Sequence, residues 1–299
     1  MRSIFLFAAV VSLPALSPAS YELLLAVDSN LNQVHRFDPV TGQYFGSFGA
    51  GYMSQPAKIH VDGAAGIAYL TNYNLGSVQA WNYSSGVLVN EFQVNTAPWG
   101  LTRLNNGNFV VVNGGTATTY NSNFIFLSSF LVGSSYGVGT DGTNIFIGDA
   151  GTVRKFNTTG TLLGTVTTPG RNIYEIKIRG NEAFVGGVAM AGRFGRFNIS
   201  SMSGYTETLL GGTTATSAVE GLAFGHGVNM YAATTSSTTG NPQQLVRHHL
   251  GTNSTISYFG TNVTMGRITG LATIVAPEPA SASFMALALG ALLLRRKRA

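Results

Sequence analysis

Cysteine is absent from this sequence, which excludes disulfides, thiolate nucleophiles and thiolate metal sites. Charge is scarce as well: charged residues make up 10% of the 299 positions, against 44% apolar residues. A long-helix protein needs more charge than that, whereas short strands joined by tight turns do not. Histidine occurs five times, scattered, and the adjacent pair His248 and His249 points to opposite faces of any regular strand, so no histidine metal cluster is expected. Gly137-Val138-Gly139 lacks the following helix that a phosphate-binding loop requires, and the serines lack a nucleophile-elbow context. What the chain has in quantity is glycine, 38 residues, and 18 phenylalanines with 12 tyrosines.

The stretch Leu23 to Phe48 sets a pattern. An apolar run ends at Asp28, an alternating run closes on Phe37, and Asp38-Pro39-Val40-Thr41-Gly42 turns into a third run. Asp28 and Asp38 stand where a carboxylate caps backbone two residues on. The unit recurs through Lys58-Ile59, Gly100-Leu101, Gly137-Val138, Glu175-Ile176, Gly221-Leu222 and Gly270-Leu271, spaced about 42, 37, 38, 46 and 49 residues apart, the period of four-stranded blades. Met190 to Gly192 and Thr234 to Gln243 read as loop insertions. Phe37, Trp81, Tyr120, Phe156, Phe197 and His249 end the strand that stands third in each four-stranded unit, the first five followed by Asp38, Asn82, Asn121, Asn157 and Asn198. An aromatic that fills the wedge between sheets, then an Asx turn, is a packing rule.

Val27-Asp28-Ser29-Asn30, then Val34 to Asp38 and Gly42, resembles the NHL-type propeller repeat, with fainter echoes at Asn72 to Gly86 and Asp149 to Gly160. The resemblance implies an all-β, six-bladed propeller. The first repeat lacks an opening strand and Ile268 to Val275 is one too many at the end, so that C-terminal strand is expected to complete the first blade and close the ring over residues 21–275.

Both ends read as addresses. Met1-Arg2, the apolar run Ile4 to Leu13, and the small residues Ser17 and Ala19 form a signal peptide over residues 1–19. Residues 276–299 combine Pro277-Glu278-Pro279, an apolar run from Phe284 to Leu294 expected to be a short helix, and Arg295-Arg296-Lys297-Arg298. This end resembles the bacterial PEP-CTERM sorting signal, which implies an exosortase-type transpeptidase as partner, cleavage near the Pro-Glu-Pro motif, and release to the cell surface or extracellular matrix. Residues 280–294 as a helix reach only about 22 Å, short of the roughly 30 Å hydrocarbon core, so a transient membrane anchor is expected. Arg2 and the four C-terminal basic residues are all in these segments; without those five, basic and acidic residues balance. The net charge of +5 is therefore an orientation signal, and no nucleic-acid partner is expected.

In such propellers the loops entering the innermost strands ring one mouth of a central channel. Lys58, Trp99, Tyr136, Tyr174, Glu175, Glu220 and Arg267 lie there. Three aromatics among charges suit stacking on sugar rings, consistent with an exopolysaccharide ligand; the same residues equally suit a plug that pairs with itself. A non-catalytic binding or scaffold role without a cofactor is the reading adopted. The alternative resembles the gluconolactonase-like propellers, in which Glu175, Glu220, Asp149 and Asn113 would hold a calcium or magnesium ion for hydrolysis.

Overall fold

The computed structural model describes residues 22–94, 97–211, 217–236, 244–259 and 262–275. The expected signal peptide and sorting signal lie outside these residues, as does most of the expected 234–243 insertion. All regular structure among the described residues is β-strand.

Strands β1 (Glu22–Asp28), β2 (Gln33–Phe37) and β3 (Tyr44–Phe48) form an antiparallel sheet whose inner edge is completed by β23 (Ile268–Val275). Glu22 pairs with Val275 and Val27 with Gly270, so the two extremes of the described chain are neighbouring strands. The next sheet is β4 (Pro56–Asp62), β5 (Ile67–Asn72), β6 (Ser77–Asn82) and β7 (Val87–Gln93). A third holds β8 (Gly100–Arg103), β9 (Phe109–Val112), β10 (Thr116–Tyr120) and β11 (Phe126–Leu131).

Here the structure departs from six separate blades. Strands β12 (Gly137–Thr140), β13 (Ile145–Gly148), β14 (Ala150–Phe156), β15 (Leu162–Arg179), β16 (Glu182–Val188), β17 (Arg193–Asn198) and β18 (Ser203–Leu209) form one seven-stranded sheet. The cause is β15, whose first half pairs with β14 and whose second half pairs with β16, while the crossing itself stays in the ladder through the pair Ala150 and Asn172. Pro169-Gly170, with Gly170 at φ 66°, marks the bend. The sheet folds over there: Phe146 and Val153 from one half share a buried cluster with Val185 and Phe197 from the other. The last sheet is β19 (Ser217–Phe224), β20 (Asn229–Ser236), β21 (Gln244–His249) and β22 (Ser254–Phe259). Thr234 to Ser236, expected in a loop, instead extend β20 opposite β19.

Burial follows the same plan. One apolar cluster joins Leu25 and Val34 to Leu70 and Trp81, another joins Leu24 and Phe37 to Tyr231 and Leu245, and similar layers fill the other gaps between neighbouring sheets. Phe37, Trp81, Tyr120, Phe156 and Phe197 are all buried. His249 is not; its Nδ1 instead accepts the Thr252 N–H at 3.0 Å and caps a turn, while His248 takes the buried place. The Asx turns form as expected, with Asn82 Oδ1 accepting Ser84 and Ser85 N–H groups at 3.1 and 2.9 Å and Asp38, Asn121, Asn157 and Asn198 doing likewise. The innermost strands β23, β4, β8, β12, the second half of β15, and β19 pack in succession and return to β23. They approach so closely that a Cβ on Gly137 would sit 2.9 Å from the Ile173 carbonyl oxygen, and one on Gly270 3.0 Å from that of Ala57. Glycine at these anchors is therefore a requirement of ring packing.

Candidate functional site

Four inner strands carry a register shift near the same end. On β4 the pairing jumps from Pro56 to Ile59, on β15 from Ile173 to Glu175, on β19 from Val219 to Gly221, and on β23 from Ile268 to Gly270. The residues left out of the ladder include Lys58, Tyr174, Glu220 and Thr269. A bulge re-aims the side chain of its extra residue and frees that residue's carbonyl from sheet pairing. Both consequences meet at Lys58. Its Nζ donates to the Glu220 carbonyl oxygen at 2.6 Å and to the Thr269 carbonyl oxygen, and it faces the Glu175 carboxylate at 3.2 Å. The freed carbonyls of two bulges are thus satisfied by one ammonium from a third, whose charge is balanced by the Glu175 carboxylate beside it. Lys58, Glu175 and Glu220 are all at least 95% buried. Burial pulls the Lys58 ammonium below the usual lysine range, and Glu175 and Glu220 pull it back up.

Around this knot the other charges are also paired. Glu175 Oε1 meets Lys177 Nζ at 3.3 Å, and Arg267 grips Glu220 with two parallel bonds of 2.7 and 2.8 Å. That bidentate contact raises the Arg267 guanidinium further. Deeper along β4, burial together with Lys177 and Arg103 pulls the His60 imidazole down to about 4.

Above the knot lies an aromatic group. Trp99, Tyr136 and Tyr174 form a closed triangle with ring centroids 5.6, 5.9 and 4.9 Å apart. Tyr73, which sequence reasoning did not single out, adds an edge contact to Trp99 at 5.6 Å, and Arg267 lies over the Trp99 ring at 5.9 Å. All seven residues expected at the mouth are therefore one contiguous cluster. Trp99 is only 8% exposed, because Tyr73, Tyr136, Tyr174 and Arg267 cover it. Tyr136 and Tyr174 are half-buried and present ring surface outward. Burial raises the Tyr174 hydroxyl above its ordinary range, so it remains a neutral donor near neutrality. Thr269 and the bulges were also missed, since one extra residue inside an already apolar strand leaves no mark in the alternation.

The four oxygen donors of the alternative metal reading are otherwise engaged. Glu175 and Glu220 hold the cations above, Asp149 accepts from Arg154 at 2.7 Å and from the Thr152 hydroxyl at 2.5 Å, and Asn113 Oδ1 caps Thr116 N–H at 3.2 Å. Among the described residues no group of three histidines or carboxylates is arranged to hold a metal ion.

Comparison with known proteins locates the class. No family model matches the sequence, and no curated protein matches it. Solved structures do. A protein of unknown function from Bacteroides caccae superposes with a TM-score of 0.70 at 14% identity over 85% of this chain and 99% of that one. A chain of the nidogen/laminin complex gives 0.66 at 12% identity over 85% and 99%. The WD40 repeats of RRP9 give 0.52 at 9% identity over 67% and 62%. The ring of sheets is a β-propeller. At these identities the likeness extends to the fold alone.

Proposed function

We propose that this chain is an exported, non-catalytic β-propeller that binds carbohydrate at one mouth of its channel, in a bacterial cell-surface or extracellular-matrix setting. On this reading the six expected blades are the four separate four-stranded sheets and two fused blades that share β15 within the seven-stranded sheet. The observation that carries the binding reading is the layering of the site: a fully paired ionic floor, then Trp99 locked beneath two half-open tyrosine rings. The plug and the platform are thus different levels of one structure. Tyrosine faces beside hydroxyl donors suit sugar rings, whose C–H faces stack and whose hydroxyls bond. Each carboxylate in the floor is already held by a cation, which leaves no free base and favours binding over hydrolysis; the reading needs no cofactor. Residues 1–19 as signal peptide and 276–299 as substrate of an exosortase-type transpeptidase, with the tail in the inner membrane before processing, supply the address, and exopolysaccharide the natural ligand.

The test is affinity electrophoresis in gels containing host exopolysaccharide. Tyr136→Ala and Tyr174→Ala should each weaken retention several-fold, a stacking ring being worth roughly 1 kcal/mol, while the denaturant midpoint moves little. Trp99→Ala removes a packed ring and should cost about 3 kcal/mol or more of stability. Unchanged retention in the Tyr136→Ala, Tyr174→Ala double variant would leave only a scaffold.

A further inference from the structure

The mouth holds more positive charge than its own ion pairs consume. The cations Lys58, Lys177 and Arg267 meet there with the carboxylates Glu175 and Glu220, which leaves one positive charge in excess. Lys58 is sealed in the floor, whereas Arg267 is the most open of the five, its side chain 34% exposed. Glu220 occupies only one edge of that guanidinium, through Nε and Nη2 at 2.7 and 2.8 Å. The other edge, an N–H of Nη1 beside the second N–H of Nη2, has no partner among the described residues. Two such donors on a planar cation form a fork that fits a second anionic group. The Tyr174 hydroxyl lies within electrostatic reach of Arg267 and of Tyr136, and among the described residues neither tyrosine hydroxyl has a hydrogen-bond partner.

We infer that the sugar taken at this mouth is acidic, its anionic group on the free edge of Arg267 and its ring stacked on Tyr136 or Tyr174. This rests on the carbohydrate reading above and narrows it. A neutral sugar would cover the excess charge with hydroxyls alone, whereas a single anionic group cancels it. Glu175 and Glu220 do not repel that group, because each is already held by internal cations. Arg267 is also placed in advance: Glu220 fixes one edge and the Trp99 ring backs one face at 5.9 Å, so little side-chain freedom is lost when the ligand arrives. A uronate carboxylate and a sulfate ester both supply the required chemistry, one negative charge spread over oxygens that accept from the fork.

Affinity electrophoresis of the full chain tests this with polymers that differ in charge: polygalacturonate against its methyl ester, and dextran sulfate against dextran. At least one charged polymer should retain the chain about tenfold more strongly than its neutral counterpart, the scale of one charged hydrogen bond, and which of the two does so tells carboxylate from sulfate. Arg267→Lys keeps a cation for Glu220 but loses the fork, so retention should fall toward the neutral level while the denaturant midpoint moves little. The Tyr136→Ala, Tyr174→Ala double variant should lose retention as well. Neither variant changes the net charge, which separates the mouth from the basic residues at the two ends of the chain. Equal retention by charged and neutral polymers overturns the inference and leaves the carbohydrate reading standing, as does retention of wild-type strength in Arg267→Lys. Failure of both charged polymers where host exopolysaccharide still retains the chain overturns it too, and failure of all of them removes the carbohydrate reading with it.

Discussion

Lys58 shows what a single side chain contributes here. It ties β4 to β15, β19 and β23 across the centre of the ring through one carboxylate and two carbonyls. Breaking a buried pair from one side leaves the other charge stranded, a cost of roughly 3 to 5 kcal/mol. Lys58→Met should lower the denaturant midpoint accordingly, and adding Glu175→Gln should recover part of the loss, since the buried negative charge goes with it. His60 makes the complementary pH statement. Its folded-state value of about 4 lies below the ordinary 6.5, so between those values the unfolded chain binds more protons. Stability should be intact above pH 6.5 and fall as pH drops toward 4, and His60→Gln should flatten that slope in urea titrations across the window. The positions of these residues were legible in the sequence, because the repeat spacing alone places Lys58, Glu175 and Glu220 at strand entries. Their partnerships were not. A register shift of one residue decides which carbonyl is left for an ammonium to find, and nothing in the order of side chains encodes that choice. Tyr73 escaped for a related reason: it sits on a turn after β5, outside the anchor column, and reaches Trp99 only through the curvature of the sheet.

At the scale of strands, the periodic signals were strong where they reflected packing. The aromatic column and the Asx turns could be read because each repeat solves the same wedge-filling problem with the same residue types. They weakened where a link became part of a ladder. Nothing in Thr165 to Tyr174 distinguishes a loop between blades from a strand that bends at Pro169-Gly170 and keeps pairing, because both are short and rich in β-branched or polar residues. The closing strand was readable as a surplus, one apolar run more than the repeats need. It also carries the largest consequence of any element. β23 pairs along all of β1 and packs beside β4 and β19. Removing residues from Pro277 onward should leave cooperative thermal unfolding intact. Removing everything from Arg267 strips the inner edge of β1, together with the Arg267 clamp on Glu220, and the product should aggregate on expression. Equal melting curves for the two truncations would contradict the role of this strand.

For the molecule as a whole, the pairing of Glu22 with Val275 means that the described chain begins and ends on adjacent strands of one sheet, in register. The order of the sheets round the ring is then independent of where the polypeptide starts. A short linker from Val275 to Glu22 would turn the ring into a covalent circle, and an opening at an exposed hairpin such as Asn106-Gly107 would give a circularly permuted chain with the same pairs to make. What changes is which sheet is stitched together by the last of the described strands to be synthesised. In the natural order that sheet is the one holding the template repeat, so its inner strand is missing until β23 emerges, and the ring stays open through most of translation.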